Sequence, residues 1–343
     1  MSSSPTLREV AEHAGVSIGT ASQALNNRSN VAPDTRARVV DAALALGYPI
    51  KSSLLDEAEV SVTTIGLLSK HDFGLPVEIN PFYSCVQLGV ESECRRRHIS
   101  LMFASVEVDP SNRPLMWPVM VNEPRVDGLI LAGALLEDAV DFLGRRRDVP
   151  IVLVDGYAPA LHYDNIVIDN LGGAAKLVNH LVMCGHTHIG LVGFNSQSPV
   201  SVRERYEGYL RALQSHGIQQ TYIEESGLSR ESGYEAARRL LKRAPQITAL
   251  LACNDLVAIG AMHGVRNLGM EVPRDVSVVG FDDIDLAGDI VPALTTVRVH
   301  KLWLGSLAVR QLIARIQNPD QPQLTVTLST QLIVRDSVQR LVP

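Results

Sequence analysis

Residues 6–26 read Thr6-Leu-Arg-Glu-Val-Ala-Glu-His-Ala-Gly-Val-Ser-Ile-Gly-Thr-Ala-Ser-Gln-Ala-Leu-Asn26, two short helical patterns parted by a glycine. Ser17 opens the second pattern as a cap for its free backbone N–H groups, and Ile18, Gly19, Ser22 and Gln23 fall on one side of it. Short polar side chains at the start of an exposed helix suit hydrogen bonding to base edges in the major groove. A three-helix bundle of this kind could instead be a protein-docking module. Little else in the chain is reactive. It holds no Gly-x-x-x-x-Gly-Lys-[Ser/Thr], no Gly-x-Gly-x-x-Gly after a strand, no Gly-x-Ser-x-Gly and no His-Glu-x-x-His. Cys184-Gly-His186-Thr-His188 has donor atoms but no second cluster at zinc-like spacing. No catalytic pair, metal or cofactor is therefore expected.

The elements that position these residues fall into two kinds. Leu7, Val10, Ala11 and Ala14 repeat at helical spacing and stop at Gly15. A short helix runs from Ser17 to Leu25, and a third from Asp34 to Leu46 ends at Gly47 before Pro49. Ala11 and Ala14 are small where helices must approach, and Val16 plugs the core. From Val62 the pattern alternates short β-branched runs with amphipathic stretches. The strand candidates are 62–68, 99–104, 128–132, 151–154, 189–192, 249–252 and 276–280. Helices are expected at 82–97, 171–184, 201–216 and 231–242. Alternation of this kind gives parallel sheets with crossover helices, and the units are too many for one compact sheet. Two parallel-sheet, Rossmann-like halves are expected, with 295–299 and 324–334 crossing back between them. Ligands bind beyond the carboxyl ends of such strands, so a cleft between the halves is the expected site.

The 343 residues, 46% hydrophobic and 20% charged, suffice for two or three packed domains. The net charge of −6 does not announce a nucleic-acid partner. In residues 1–53, Arg8, Arg28, Arg36, Arg38 and Lys51 exceed Glu9, Glu12, Asp34 and Asp41 by one positive charge, which decides nothing. No apolar run nears the roughly 18 residues that span a bilayer, and the start of the chain lacks a secretory signal. Four cysteines without paired spacing read as reduced thiols. A cytoplasmic protein is expected.

The residues from Thr6 to Asn26 resemble the LacI/GalR family of bacterial regulators, whose signature is Thr-[Ile/Leu]-x-[Asp/Glu]-Val-Ala followed by Ala-Gly-Val-Ser-x-x-Thr-[Val/Ala]-Ser. The likeness covers nearly the whole chain, through Gly-His-x-x-Ile-Gly at Gly185–Gly193, Asn-Asp-x-x-Ala-x-Gly at Asn254–Gly260 and Val-Gly-Phe-Asp-Asp at Val279–Asp283. It implies a helix-turn-helix domain over 1–50, a hinge over 51–61, and a bilobal, periplasmic-binding-protein-like domain over 62–343. That domain would divide into an N-subdomain of about 62–160 and 293–322 and a C-subdomain of about 161–292 and 323–343. Operator contacts would come from Thr6, Ser17, Ile18, Gly19, Thr20, Ser22, Gln23 and Asn26, with Leu54 (or Leu55) as a wedge in the minor groove.

The resemblance also implies an effector site of Asn80, Phe82, Tyr83, Asp155, Arg205, Asn254 and Asp282. Aromatic faces would stack on a sugar ring, while carboxylates and one guanidinium would bind vicinal hydroxyls. Expected partners are double-stranded operator DNA, a small sugar-like effector and a second protomer, in a homodimer or a tetramer. The implied protein is a repressor under allosteric control. Three features depart from the family pattern. Gln23 stands where the family usually has arginine, which exchanges a guanine preference for adenine. The hinge carries Asp56, Glu57 and Glu59 where DNA phosphates would lie. Leu228 replaces an aromatic residue of some sugar-responsive relatives. The rival readings are a DNA-binding protein controlled by a partner protein, and an enzyme on the same bilobal fold.

Overall fold

The computed structural model describes residues 5–26, 31–49, 62–72, 80–109, 113–122, 125–133, 137–146, 149–158 and 163–341. The chain forms two compact units, Met1–Val62 and Thr63–Pro343. In the first, α1 (Leu7–Ala14) opens with a capping box: the Glu9 amide donates to Thr6 Oγ1 (3.4 Å) and the Thr6 amide donates to Glu9 Oε2 (2.6 Å). Gly15, with φ 64° and ψ 40°, turns the chain through the left-handed region that glycine enters without penalty. The second helix, α2 (Ile18–Leu25), is capped by Ser17, whose Oγ accepts from the Thr20 amide at 3.0 Å. After it comes α3 (Pro33–Leu46), ending at a left-handed Gly47. Val10, Ala11, Ala14, Ala21, Ala24, Val39 and Ala43 are buried at their junction, with Val16 packed against them. The joining segment, Leu54 and Leu55 included, lies outside the described residues.

The second unit runs β1 (Thr64–Asp72), α4 (Pro81–Arg96), β2 (Ser100–Val108), β3 (Gly128–Ala132), α5 (Glu137–Arg146), β4 (Ile151–Val154) and β5 (Asp164–Ile168). It continues α6 (Asn170–Met183), β6 (Ile189–Phe194), α7 (Val200–Ser215), β7 (Tyr222–Glu225), α8 (Arg230–Arg243), β8 (Ala249–Ala252), α9 (Asp255–Asn267), β9 (Ser277–Val279) and α10 (Asp285–Asp289). The last elements are β10 (Thr296–Arg298), α11 (Lys301–Gln317), β11 (Thr325–Leu328) and β12 (Gln331–Ile333). One parallel sheet has the order β11-β5-β4-β3-β1-β2 and the other β7-β6-β8-β9, while β10 and β12 pair antiparallel. Each half has its own apolar cluster, Leu129, Leu131, Leu143 and Leu153 in the first and Leu240, Leu250, Val265 and Val278 in the second.

The halves divide differently from the sequence expectation. Residues 164–168 and 325–328, expected in the C-subdomain, form β5 and β11 of the first sheet. The start of β5 looks polar in sequence but is buried: Asp164 is 1% exposed, and Arg315 of α11 donates to it through Nε and Nη2, both at 2.9 Å. That carboxylate–guanidinium pair lets a strand beginning Asp-Asn enter the sheet interior. The first half thus reaches Ile168 and regains the chain through Leu328.

Candidate functional site

Two carboxylates sit where strands of different halves end. Asp155 directly follows β4, and Asp282 follows β9 after Gly280 and Phe281. Both have left-handed backbones, with φ 53° and 110°, as does Asp283 at 51°. Non-glycine residues hold such angles at a cost of order 1–3 kcal/mol each, and they persist where the surroundings impose them. Backbone hydrogen bonds do so here: the Asp155 amide donates to Ile166 O at 3.0 Å and the Asp282 amide to Val297 O at 2.8 Å. Both side chains are buried, and one oxygen of each, Oδ1, has no hydrogen-bond partner among the described residues.

Arg205 lies between them on α7. Its Nε donates to Asn170 Oδ1 (2.9 Å), its Nη1 to Cys253 O (2.6 Å), and its Nη2 lies 3.2 Å from Asp282 Oδ1. That last contact is an ion pair, so Asp282 Oδ1 has a charged partner with room for a further donor. The guanidinium also stacks on Phe281, 3.9 Å from the ring centroid. A planar group braced on three sides presents its charge at one fixed place. Helix α7 approaches α6 closely enough for this through Gly208, where a Cβ would meet Leu171 O at 2.3 Å.

Tyr83 donates its hydroxyl to Asp155 Oδ2 at 2.9 Å. Burial raises the Asp155 carboxyl to about 6, against the pull of Arg205 and the Tyr83 hydrogen bond. Burial likewise lifts Asp282, countered by Arg205 and Lys301, and holds Tyr83 protonated well above its ordinary value. The arrangement can accept hydrogen bonds from hydroxyls at Asp155 and Asp282 and offer a guanidinium beside them.

Of the effector residues expected from sequence, the structure brings together Tyr83, Asp155, Arg205 and Asp282. Phe82 is buried edge-on against Tyr83, with centroids 5.0 Å apart. Asn80 is exposed and caps α4, its Oδ1 accepting from the Phe82 amide at 3.0 Å. Asn254 spends both ends of its amide on the chain: Oδ1 accepts from the Val257 amide (2.8 Å) and Nδ2 donates to Leu228 O (3.1 Å). It braces α9 and Leu228 rather than presenting a free group. Asn170, Phe281, Tyr157 and Glu204 also belong to this region, although nothing in the sequence singles them out for it. Asn170 is 1% exposed and follows β5, the strand whose polar start concealed it. Phe281 was in view inside Val-Gly-Phe-Asp-Asp, where only its ring's place under Arg205 was lacking.

In the first unit, Thr6, Ser17, Ile18, Gly19, Gln23 and Asn26 are exposed and Thr20 and Ser22 half-exposed, while Ala21, Ala24 and Leu25 turn inward. Thr6, Ser17 and Asn26 also shape the helices: the first two are N-caps, and Asn26, the C-cap of α2, donates Nδ2 to Ser22 O at 3.0 Å. Among the described residues no helix is long and apolar enough to cross a membrane.

Residues 6–49 match bacterial regulatory proteins of the lacI family, and residues 178–338 match the periplasmic binding protein-like domain. The HTH-type transcriptional repressor PurR of Haemophilus influenzae (strain PittEE) is 32% identical over 343 residues, covering 98% of this chain and 99% of the relative. A LacI family regulator from Enterococcus faecium with bound ribose superposes with TM-score 0.69 at 26% identity, over 82% of this chain and 100% of that one. The lac repressor dimer bound to operator and the anti-inducer ONPF does so with TM-score 0.68 at 26% identity, over 98% and 100%. A groove-reading helical unit followed by a bilobal binding unit defines the class, a DNA-binding transcription regulator. The chain belongs to the lacI family of bacterial regulatory proteins.

Proposed function

We propose that this regulator is a cytoplasmic repressor whose operator affinity is set by an uncharged, hydroxyl-rich effector, a sugar or sugar derivative, held between the two halves. The observation that carries the reading is the buried Asp155 Oδ1, without a hydrogen-bond partner among the described residues, together with the braced Arg205 and its ion-pair partner Asp282. A buried acceptor without a partner costs about 1–3 kcal/mol; a polyol hydroxyl would recover it at Asp155, and a second would complete the coordination of Asp282 beside its ion pair. Tyr83 and Phe82 supply the apolar wall, Asn80 stands beside them, and Asn254 acts indirectly by holding Leu228. The ribose in the E. faecium relative agrees with this chemistry.

Operator reading is assigned to Thr6, Ser17, Ile18, Gly19, Thr20, Ser22, Gln23 and Asn26, with Leu54 in the hinge. Two protomers bring two recognition helices to half-sites about one DNA turn apart, as the dimeric, operator-bound lac repressor leads one to expect. The effector acts only through unequal affinity for the two states of the sensor. No step in this reading requires catalysis. Calorimetry of the full chain against sugars, sugar phosphates and nucleosides tests it. A neutral polyol should bind, and Arg205→Ala should abolish that binding while operator affinity without effector is kept. Control by a partner protein would be favoured instead if no member of the panel bound.

A further inference from the structure

Beside the effector residues stands a hydrogen-bonded group that joins the halves and that the effector reading leaves unused. Tyr157 belongs to the first half, two residues beyond Asp155. Glu204 belongs to the second, on α7 and next to Arg205. The Tyr157 hydroxyl donates to Glu204 Oε2 at 2.7 Å, and Asn170 Nδ2 donates to the same oxygen at 3.1 Å. Asn170, the first residue of the crossover helix α6, also reaches the Tyr157 hydroxyl at 3.5 Å and accepts from Arg205 Nε at 2.9 Å. Burial and the Glu204 carboxylate keep the Tyr157 hydroxyl protonated, and so a donor.

We propose that Tyr157 and Glu204, aligned by Asn170, form a clasp that closes the two halves before an effector arrives. A hydrogen bond to a charged oxygen in a partly buried seam is stronger than one between neutral groups, and this one is made only when the halves are together. Each end adjoins an effector contact, Asp155 on one side and Arg205 on the other. Forming the clasp therefore brings both contacts into position, and the closed state is populated without ligand. An effector preferring that state pays less of the closing cost, which lowers the concentration at which the regulator responds. Tyr157 and Glu204 are thus positioning residues. Their regulatory meaning rests on the proposed effector site, whereas the test needs no effector, so the two ideas can fail separately.

The measurement is energy transfer between one dye on each half of the effector-free full chain. Cysteines are introduced by Arg95→Cys and Gln220→Cys, with Cys85 and Cys184 replaced by serine and one labelled protomer per assembly. A single high-transfer population is expected with the clasp intact. Tyr157→Phe keeps the ring and its packing, and should raise the ratio of open to closed molecules roughly tenfold, as should Glu204→Ala. The double variant should open no further than either single one, because both remove the same bond. Glu204→Gln, which retains an acceptor but not its charge, should fall between the intact clasp and Glu204→Ala in its closed population. Transfer distributions unchanged in both single variants, or opening that adds up in the double variant, would overturn the clasp.

Discussion

The carboxyl of Asp155 gives the site a pH signature. Its ordinary value is 3.8, and burial raises it to about 6. Between those values the folded protein keeps a proton that the unfolded chain has lost, so this group's contribution to stability falls as pH rises, by up to about 3 kcal/mol above pH 6. Hydroxyls donating to the carboxylate favour its ionised form, so effector binding has the opposite sense: affinity should be full above pH 6 and decline below it. Calorimetry from pH 5 to 7.5 should show that decline with proton release near pH 6, and Asp155→Asn should remove the dependence; a flat affinity would deny Asp155 its role. At the other unit, Gln23→Ala should cost about 1–3 kcal/mol at one operator position and leave the salt slope unchanged. A loss spread evenly over all operator sequences would make Gln23 a phosphate contact. These residues were legible in sequence because each follows a recognisable motif or strand end. Asn170 and Glu204 were not, because their partners lie 35 and 47 residues away, respectively.

The placing of Arg205 depends on how closely α7 and α6 approach, and Gly208 sets that distance. Gly208→Ala would drive a Cβ into Leu171 O at 2.3 Å; backbone cannot yield as a side chain does, so destabilisation of about 1–3 kcal/mol is expected. Thermal unfolding should show the loss together with weakened effector binding, whereas unchanged binding would detach the helix contact from the site. Most elements were readable from periodicity: the helices at 82–97, 171–184 and 201–216 fall within a residue or two of α4, α6 and α7. β5 and β7 were not read, since Asp164-Asn165 and Glu224-Glu225 look like loop ends. In β5 the missing information is the ion pair to Arg315, 151 residues away; in β7, it is an edge position, where the burial pattern is mixed and two glutamates are tolerated.

For the whole molecule, the two-part design explains why net charge says little: the DNA-reading unit is a small fraction of an acidic chain. The division into a helical unit and a two-sheet unit was legible from the change in pattern at Val62, but membership of the two sheets was not, because the chain crosses between the halves and periodicity carries no record of which sheet a strand joins. In the proposed mechanism the effector acts on DNA binding solely through a change in the sensor's state. The most direct test is operator affinity of the full chain, by fluorescence anisotropy at fixed salt, with and without a saturating polyol identified by calorimetry. A shift of about 5–150-fold that Arg205→Ala removes is expected. Identical operator affinity with the site empty and saturated would contradict it.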